Sequence, residues 1–97
     1  LPDAFFCAND FLAICTIRAL KSLNYNLPDD IKVAGFDNSR ESQIIEPLLT
    51  TVANPGTEMG YIASNILLDR INYPDTPYRA TYVQTNIIYR RSTEKKQ

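Results

Sequence analysis

Residues 4–23 read AFFCANDFLAICTIRALKSL, and this stretch changes character once, at Asn9-Asp10. Before the change, Ala4-Phe5-Phe6-Cys7-Ala8 is a continuous apolar run behind Pro2-Asp3. Such a run, with no polar alternation, is the pattern of a strand buried on both faces. After the change, Phe11 to Leu23 contains no Gly, no Pro and no turn cluster, so the pattern predicts a helix. Asn9 or Asp10 supplies the side-chain acceptor that a first helical turn needs for its free N–H groups. Leu12, Cys15, Ala19 and Leu23 form one apolar row, which Ile14 and Ile17 widen; only Thr16, Arg18, Lys21 and Ser22 are polar. A surface helix needs one apolar stripe, and this one is apolar around most of its circumference. It is expected to pack on a sheet with one side and on something else with another.

The next segments complete the unit. Asn24 to Asp30 carries strong stop signals, and Ile31-Lys32-Val33-Ala34-Gly35-Phe36 reads as a second strand that runs into Asp37-Asn38-Ser39. Strand, helix and strand from Ala4 to Phe36 have the length of one βαβ unit with parallel strands. Arg40 to Ile45 reads as a short helical turn stopped by Glu46-Pro47, and Leu48 to Val52 as a third strand. Asn54-Pro55 restarts a helix, with Asn54 as N-cap and Pro55 at the first helical position. Its stripe is Met59, Ile62, Ala63, Ile66 and Leu67, and it runs to about Asn72. Tyr82 to Tyr89 is rich in β-formers and reads as a strand. Arg90 to Gln97 reads as a frayed polar tail. Too few elements are present to cover a parallel sheet on both faces. The chain therefore reads as α/β, a parallel sheet flanked by helices, and as the C-terminal portion of a larger domain.

Composition narrows the function. The chain has 97 residues, 44% hydrophobic and 22% charged, with a net charge of −1, so no basic face exists to hold nucleic acid by itself. Any DNA contact is expected from a part of the protein outside these residues. Cys7 and Cys15 lie in apolar runs with no CxxC and no histidine anywhere, which reads as two reduced thiols in a cytoplasmic protein. No apolar run is long enough to span a bilayer, so no membrane is expected. No signal peptide is visible, but the chain does not begin with Met.

Catalysis has little support. The sequence lacks His, G-x-S-x-G, a P-loop, G-x-G-x-x-G and paired Cys, so no catalytic residue, metal or cofactor is expected. Asp10 and Asp37 are two carboxylates, but nothing beside them would activate a nucleophile. Binding fits better. Ligands of open α/β sheets sit outside the carboxyl ends of the strands. Asn9-Asp10 and Asp37-Asn38 both stand at such ends, and carboxylates and amides make the bidentate hydrogen bonds that sugar hydroxyls or purine edges offer. Each residue also has a purely structural reading. Asp10 and Asn54 serve equally well as helix caps, and Asp37 as the acid of an Asx-turn.

Together these segments resemble a known family. PDAFFCANDFLAICTIRAL, LPDDIKVAGFDNS, EPLLTTVANP, EMGYIASNILLDRI and YRRST stand in the order and spacing of the C-terminal part of the lactose/galactose-repressor (LacI/GalR) family of bacterial transcription regulators. The resemblance covers about residues 2 to 93. It implies a periplasmic-binding-protein-like I fold of two lobes with a ligand cleft between them. Residues 1–51 would belong mainly to the C-terminal lobe. Residues 52–85 would form the helix and strand returning to the N-terminal lobe, and 86–97 the final strand and tail. It implies that Asn9, Asp10, Asp37 and Asn54 contact a small-molecule effector, a sugar ahead of a nucleobase. It implies a homodimer with Phe11, Leu12, Cys15, Ile44 and Ile45 at the interface. Operator DNA would be bound only through an N-terminal helix-turn-helix absent from this chain. The family often has Gly where this chain has Cys15.

Three functions compete on these residues: the ligand-sensing segment of such a regulator, a periplasmic sugar-binding receptor of the same fold, and an enzyme using Asp10 and Asp37. The apolar helix over 11–23 and the LTTV segment favour the regulator. The stripe Met59, Ile62, Ile66 and Leu67 is expected to lack a partner within these residues.

Overall fold

A computed structural model describes residues 1–95 and divides them into two compact units. The first comprises Leu1–Ala53 and the C-terminal stretch from Asn86; the second is Asn54–Thr85.

In the first unit, strand β1 (Ala4–Phe6) pairs in parallel with β2 (Lys32–Ala34), with Phe5 opposite Val33. Helix α1 (Asp10–Ser22) joins them. Strand β3 (Thr51–Ala53) pairs antiparallel with β4 (Asn86–Ile88), with Val52 opposite Ile87. A parallel bridge between Ala34 and Thr50, and bonds from Gly35 N–H to the Thr50 carbonyl and from Asp37 N–H to the Val52 carbonyl, link the two ladders. Ala13, Ile17 and Leu20 of α1 pack with Ile31, Val33 and Leu49, and Phe5, Cys7, Tyr25 and Leu27 close around them. The spacing 13, 17, 20 is one helical face.

Both ends of α1 are fixed by local chemistry. The Asn9 side chain accepts from Leu12 N–H at 2.9 Å, the N-cap bond. At the other end Asn24 takes a left-handed φ of 68°. Asn24 N–H then donates to the Lys21 carbonyl and Tyr25 N–H to the Leu20 carbonyl, the paired bonds of a Schellman stop.

Of the apolar circumference of α1, the sheet takes Ala13, Ile17 and Leu20, while Leu12, Cys15, Ala19 and Leu23 are exposed. Several expectations are corrected. β1 is not buried on both faces. Phe6 is 72% exposed, because β1 pairs only with β2 and the core lies on its Phe5 side. Arg40 to Ile45 narrows to one 3-10 turn, Glu41–Gln43. The strand expected over Tyr82 to Tyr89 narrows to β4, since the ladder it joins is three residues long. The C-terminal stretch is not a frayed tail through Thr93. Arg91–Thr93 forms a 3-10 turn, and Ser92 is fully buried. The Ser92 hydroxyl donates to the Val33 carbonyl at 2.6 Å and accepts from Thr50 N–H at 2.8 Å, while its own N–H donates to the Leu48 carbonyl. One hydroxyl thus ties the chain end to β2 and to the start of β3. Lys96 and Gln97 lie outside the described residues.

The second unit is helix α2 (Gly56–Asn72) and the segment after it. Asn54 is not its N-cap. Pro55 holds that position and no side-chain capping bond forms; Gly56 N–H bonds to the Asn54 carbonyl instead. No residue of α2 is buried. Met59 and Leu67 are exposed and Ile62 and Ile66 half-buried, so the stripe expected to lack a partner is partly covered. At its C-terminal end, where the helix dipole favours a cation, Arg70 donates to the Pro74 and Thr76 carbonyls. Its guanidinium lies 4.8 Å from the Tyr78 ring centre, a cation–π contact that holds the following segment against the last turns.

Candidate ligand-binding site

The polar strand ends of the first unit meet at one rim. β2 ends at Ala34, and the chain continues through Gly35 and Phe36 into two consecutive left-handed residues, Asp37 (φ 114°) and Asn38 (φ 51°). An asparagine tolerates that region. An aspartate at 114° is strained, and strain of this kind collects at functional positions. Asp37 is exposed. Beside it the structure opens a depression of about 370 Å³ lined by Asn9, Asp10, Phe11, Ile14, Asp37, Ser39 and Glu41. Its surface combines an exposed phenyl ring with carboxylates and an amide. A sugar ring presents the complementary set, an apolar face and hydroxyls at its edge.

The backbone of this rim is fixed from below. Asp10 is only 2% exposed. One carboxylate oxygen accepts from Ser39 N–H and the other from the Thr51 hydroxyl, both at 2.6 Å. Its own N–H donates to the Phe36 carbonyl at 3.0 Å. A carboxylate at the first turn of α1 also lies in the positive field of the helix end. Gly35 makes this possible, because a Cβ at that position would stand 2.3 Å from the Asp10 carboxylate. Asn38 N–H donates to the Thr51 hydroxyl at 3.1 Å. From the far side Arg90, just past β4, donates to the Asn38 side-chain oxygen (2.8 Å), the Ser42 hydroxyl (2.9 Å) and the Leu49 carbonyl (3.0 Å).

The four residues singled out from sequence therefore separate. Asn9 and Asp37 border the depression, Asn9 while also capping α1. Asp10 also lines it but is buried, with its carboxylate bonded to Ser39 N–H and the Thr51 hydroxyl. Asn54 belongs to the other compact unit. Sequence reasoning missed Thr51, Arg90 and Ser92. Their signal was present in LTTV and YRRST: hydroxyls and an arginine among strand residues, where buried polar groups need partners. Among the residues named for a dimer contact, Phe11 and Ile44 are each 72% exposed, and Leu12 and Cys15 are exposed too. Ile45 departs from that set; it is half-buried and packs on the core. Among the described residues no cluster of His, Cys, Asp or Glu is placed to hold a metal. No helix among them is long and apolar enough to cross a membrane.

A strand-helix-strand unit with a polar, partly aromatic rim at the strand ends defines a class, and sequence comparison gives the same class. The chain belongs to the periplasmic binding protein-like domain family, whose model matches residues 1–93. Within that family its sequence and fold side with regulators of the LacI/GalR type. The HTH-type transcriptional repressor PurR of Mannheimia succiniciproducens is 33% identical over 94 residues, covering 97% of this chain and 28% of that protein. PurR of Erwinia tasmaniensis is 38% identical over 91 residues, covering 94% and 27%. The chain thus spans little more than a quarter of the length of these curated relatives. A LacI family regulator from Enterococcus faecium, solved with bound ribose, superposes with a TM-score of 0.77 at 33% identity over 94% of this chain and 34% of that one. The regulator CelR in complex with cellobiose superposes at 0.85 with 31% identity, over 93% and 28%.

Proposed function

We propose that this chain is the effector-sensing and dimerising segment of a bacterial LacI-type transcription regulator. A small molecule, a sugar before a nucleobase, binds at the rim formed by Asn9, Phe11 and Asp37. The observation that carries this reading is Asp37: an exposed acid held at φ 114° where a strand ends beside an open depression. A turn residue alone gains nothing from such strain, whereas a ligand contact gains a fixed carboxylate. The ribose and cellobiose in the related structures support the sugar class. The repressor names of the curated relatives favour a cytoplasmic regulator over a periplasmic transport receptor. Sensing, not turnover, is the task assigned to the two carboxylates.

In this mechanism Asp37 accepts from effector hydroxyls and Asn9 supplies an amide. Asp10 contributes by holding Ser39 and Thr51 behind the rim. The family resemblance makes Asn54 a further effector contact. Residues 1–53 and 86–95 belong to one lobe of a two-lobed domain, and 54–85 carry the chain toward the other. The exposed apolar residues Phe11, Leu12, Cys15 and Ile44 meet a second copy of the chain, with Ile45 supporting them from the core side. Operator DNA is bound by a helix-turn-helix outside this chain. Effector and operator affinities are then linked by a coupling free energy on the order of 1–3 kcal/mol.

The test uses the full-length protein. A panel of pentoses, hexoses, disaccharides and purine bases is titrated calorimetrically, and operator binding is followed in parallel. Asp37→Ala is expected to abolish most of the effector response while operator binding persists. An unchanged response would reduce Asp37 to a turn residue.

A further inference from the structure

Arg90 lies far from Asp37 in sequence, yet it is tied to the residue next to it. Its guanidinium donates to the Asn38 side-chain oxygen, the Ser42 hydroxyl and the Leu49 carbonyl. Its backbone is fixed as well: Arg90 N–H donates to the Thr50 hydroxyl at 2.8 Å, and that hydroxyl also contacts the Thr93 hydroxyl at 2.6 Å. The cation is half-buried and its acceptors on these three residues are neutral. A planar fork with donors in fixed directions can serve three acceptors at once, which an ammonium on a flexible stem does not reproduce. Asn38 meanwhile sits at φ 51° and Asp37 at 114°, so neither conformation is the relaxed choice of the isolated loop.

We infer that Arg90 is a positioning residue for the rim. By gripping Asn38 from beyond β4, it holds the left-handed Asp37-Asn38 pair in the one geometry that presents the Asp37 carboxylate to the depression. Three other ties share the work. Asp37 N–H donates to the Val52 carbonyl, Asp10 takes Ser39 N–H and the Thr51 hydroxyl takes Asn38 N–H. All three act on backbone N–H groups and leave the Asn38 side chain unrestrained. Arg90 is the group that restrains that side chain, and it does so from the opposite end of the sequence. The value of this grip for effector binding rests on the function proposed above; the grip itself does not.

The experiment separates the two. In the full-length protein, Asn38→Gly removes the acceptor while keeping a residue at ease with positive φ. Arg90→Lys keeps the charge and removes the fork. Amide hydrogen exchange is followed over residues 36–42 together with the thermal midpoint. Each variant is expected to speed exchange at Asp37, Asn38 or Ser39 by about tenfold or more, the scale of one lost hydrogen bond to a charged group. The double variant should add little to either single one, since both cut the same tie. Ser92→Ala is the structural control: it should lower the midpoint without selectively loosening residues 37–39. Unchanged exchange at 37–39 in Asn38→Gly and Arg90→Lys overturns the proposal, as does loosening that merely follows the global midpoint. Calorimetric titration with D-ribose and cellobiose forms the second arm. If the rim loosens in both variants but Asp37→Ala leaves the binding of either sugar intact, the clamp stands and the effector reading fails. If Asp37→Ala removes binding while exchange is unchanged in Asn38→Gly and Arg90→Lys, the effector reading stands and the clamp fails.

Discussion

Helices α1 and α2 carry the same signal in sequence and meet different ends. Both have an apolar stripe at helical spacing, and α2 is the longer, at 17 residues against 13. Yet α1 buries Ala13, Ile17 and Leu20 against β2 and Leu49, while α2 buries no residue fully and of its stripe only half-buries Ile62 and Ile66. A periodic stripe states that a helix has a face to bury; the partner decides whether it does so. In the first unit the partner is a sheet stitched by polar ties that never break the core. Asp10, Thr51 and Ser92 are buried and hydrogen-bonded, and among the described residues no buried side-chain polar atom lacks a partner. The second unit has one organised end, where Arg70 gathers the Pro74 and Thr76 carbonyls and the Tyr78 ring.

That contrast can be broken by mutation. The largest effect is expected at Ile17, which is fully buried. Ile17→Ala should destabilise by about 2–5 kcal/mol in urea titration, the range for deleting a large core side chain. A loss below ~1 kcal/mol would mean that the first unit is not the core it looks. Ser92→Ala comes next. It strands the Val33 carbonyl and Thr50 N–H in the interior, which should cost about 1–3 kcal/mol by the same assay. Asn9→Ala removes the cap of α1 and should cost about 1 kcal/mol, with helical content falling at the start of α1. Leu67→Ala on the open stripe should shift stability by no more than about 0.5 kcal/mol in the 97-residue chain. A cost of ~2 kcal/mol there in the full-length protein would sharpen the comparison, because it would show α2 docked on a surface these residues do not supply.

The parts of the fold that are local were legible in the sequence. The βαβ unit could be read because an unbroken apolar run, a cap and a stop lie within Ala4 to Phe36, and each acts on its neighbours. The end of α1 was legible as a stop, and its mechanism, a left-handed Asn24, is the kind of position Asn accepts. What the sequence left hidden depends on distant partners. Which face of α1 meets the sheet was not legible, because most of its circumference is apolar and only the sheet selects Ala13, Ile17 and Leu20. YRRST looked like a polar tail because Ser92 and Arg90 find their acceptors on β2, on Asn38 and on Ser42 to Leu49, all more than forty residues away in the chain. The orientation of Asp10 was not legible, because an acid at a strand end can face a ligand or the fold. Only the clearance at Gly35 and the position of Thr51 show which way its carboxylate turns.

Asp37 carries the same ambiguity, and its backbone offers the sharpest test. If strain at φ 114° is held for the sake of a carboxylate, Asp37→Gly in the full-length protein should relieve the strain and remove the function together. The measurement is a thermal melt paired with a calorimetric effector titration on this one variant. The account predicts a Tm equal to or above that of the parent protein and a loss of most effector affinity. A lower Tm with effector affinity intact would contradict it, making Asp37 a structural turn residue and the rim something other than an effector site.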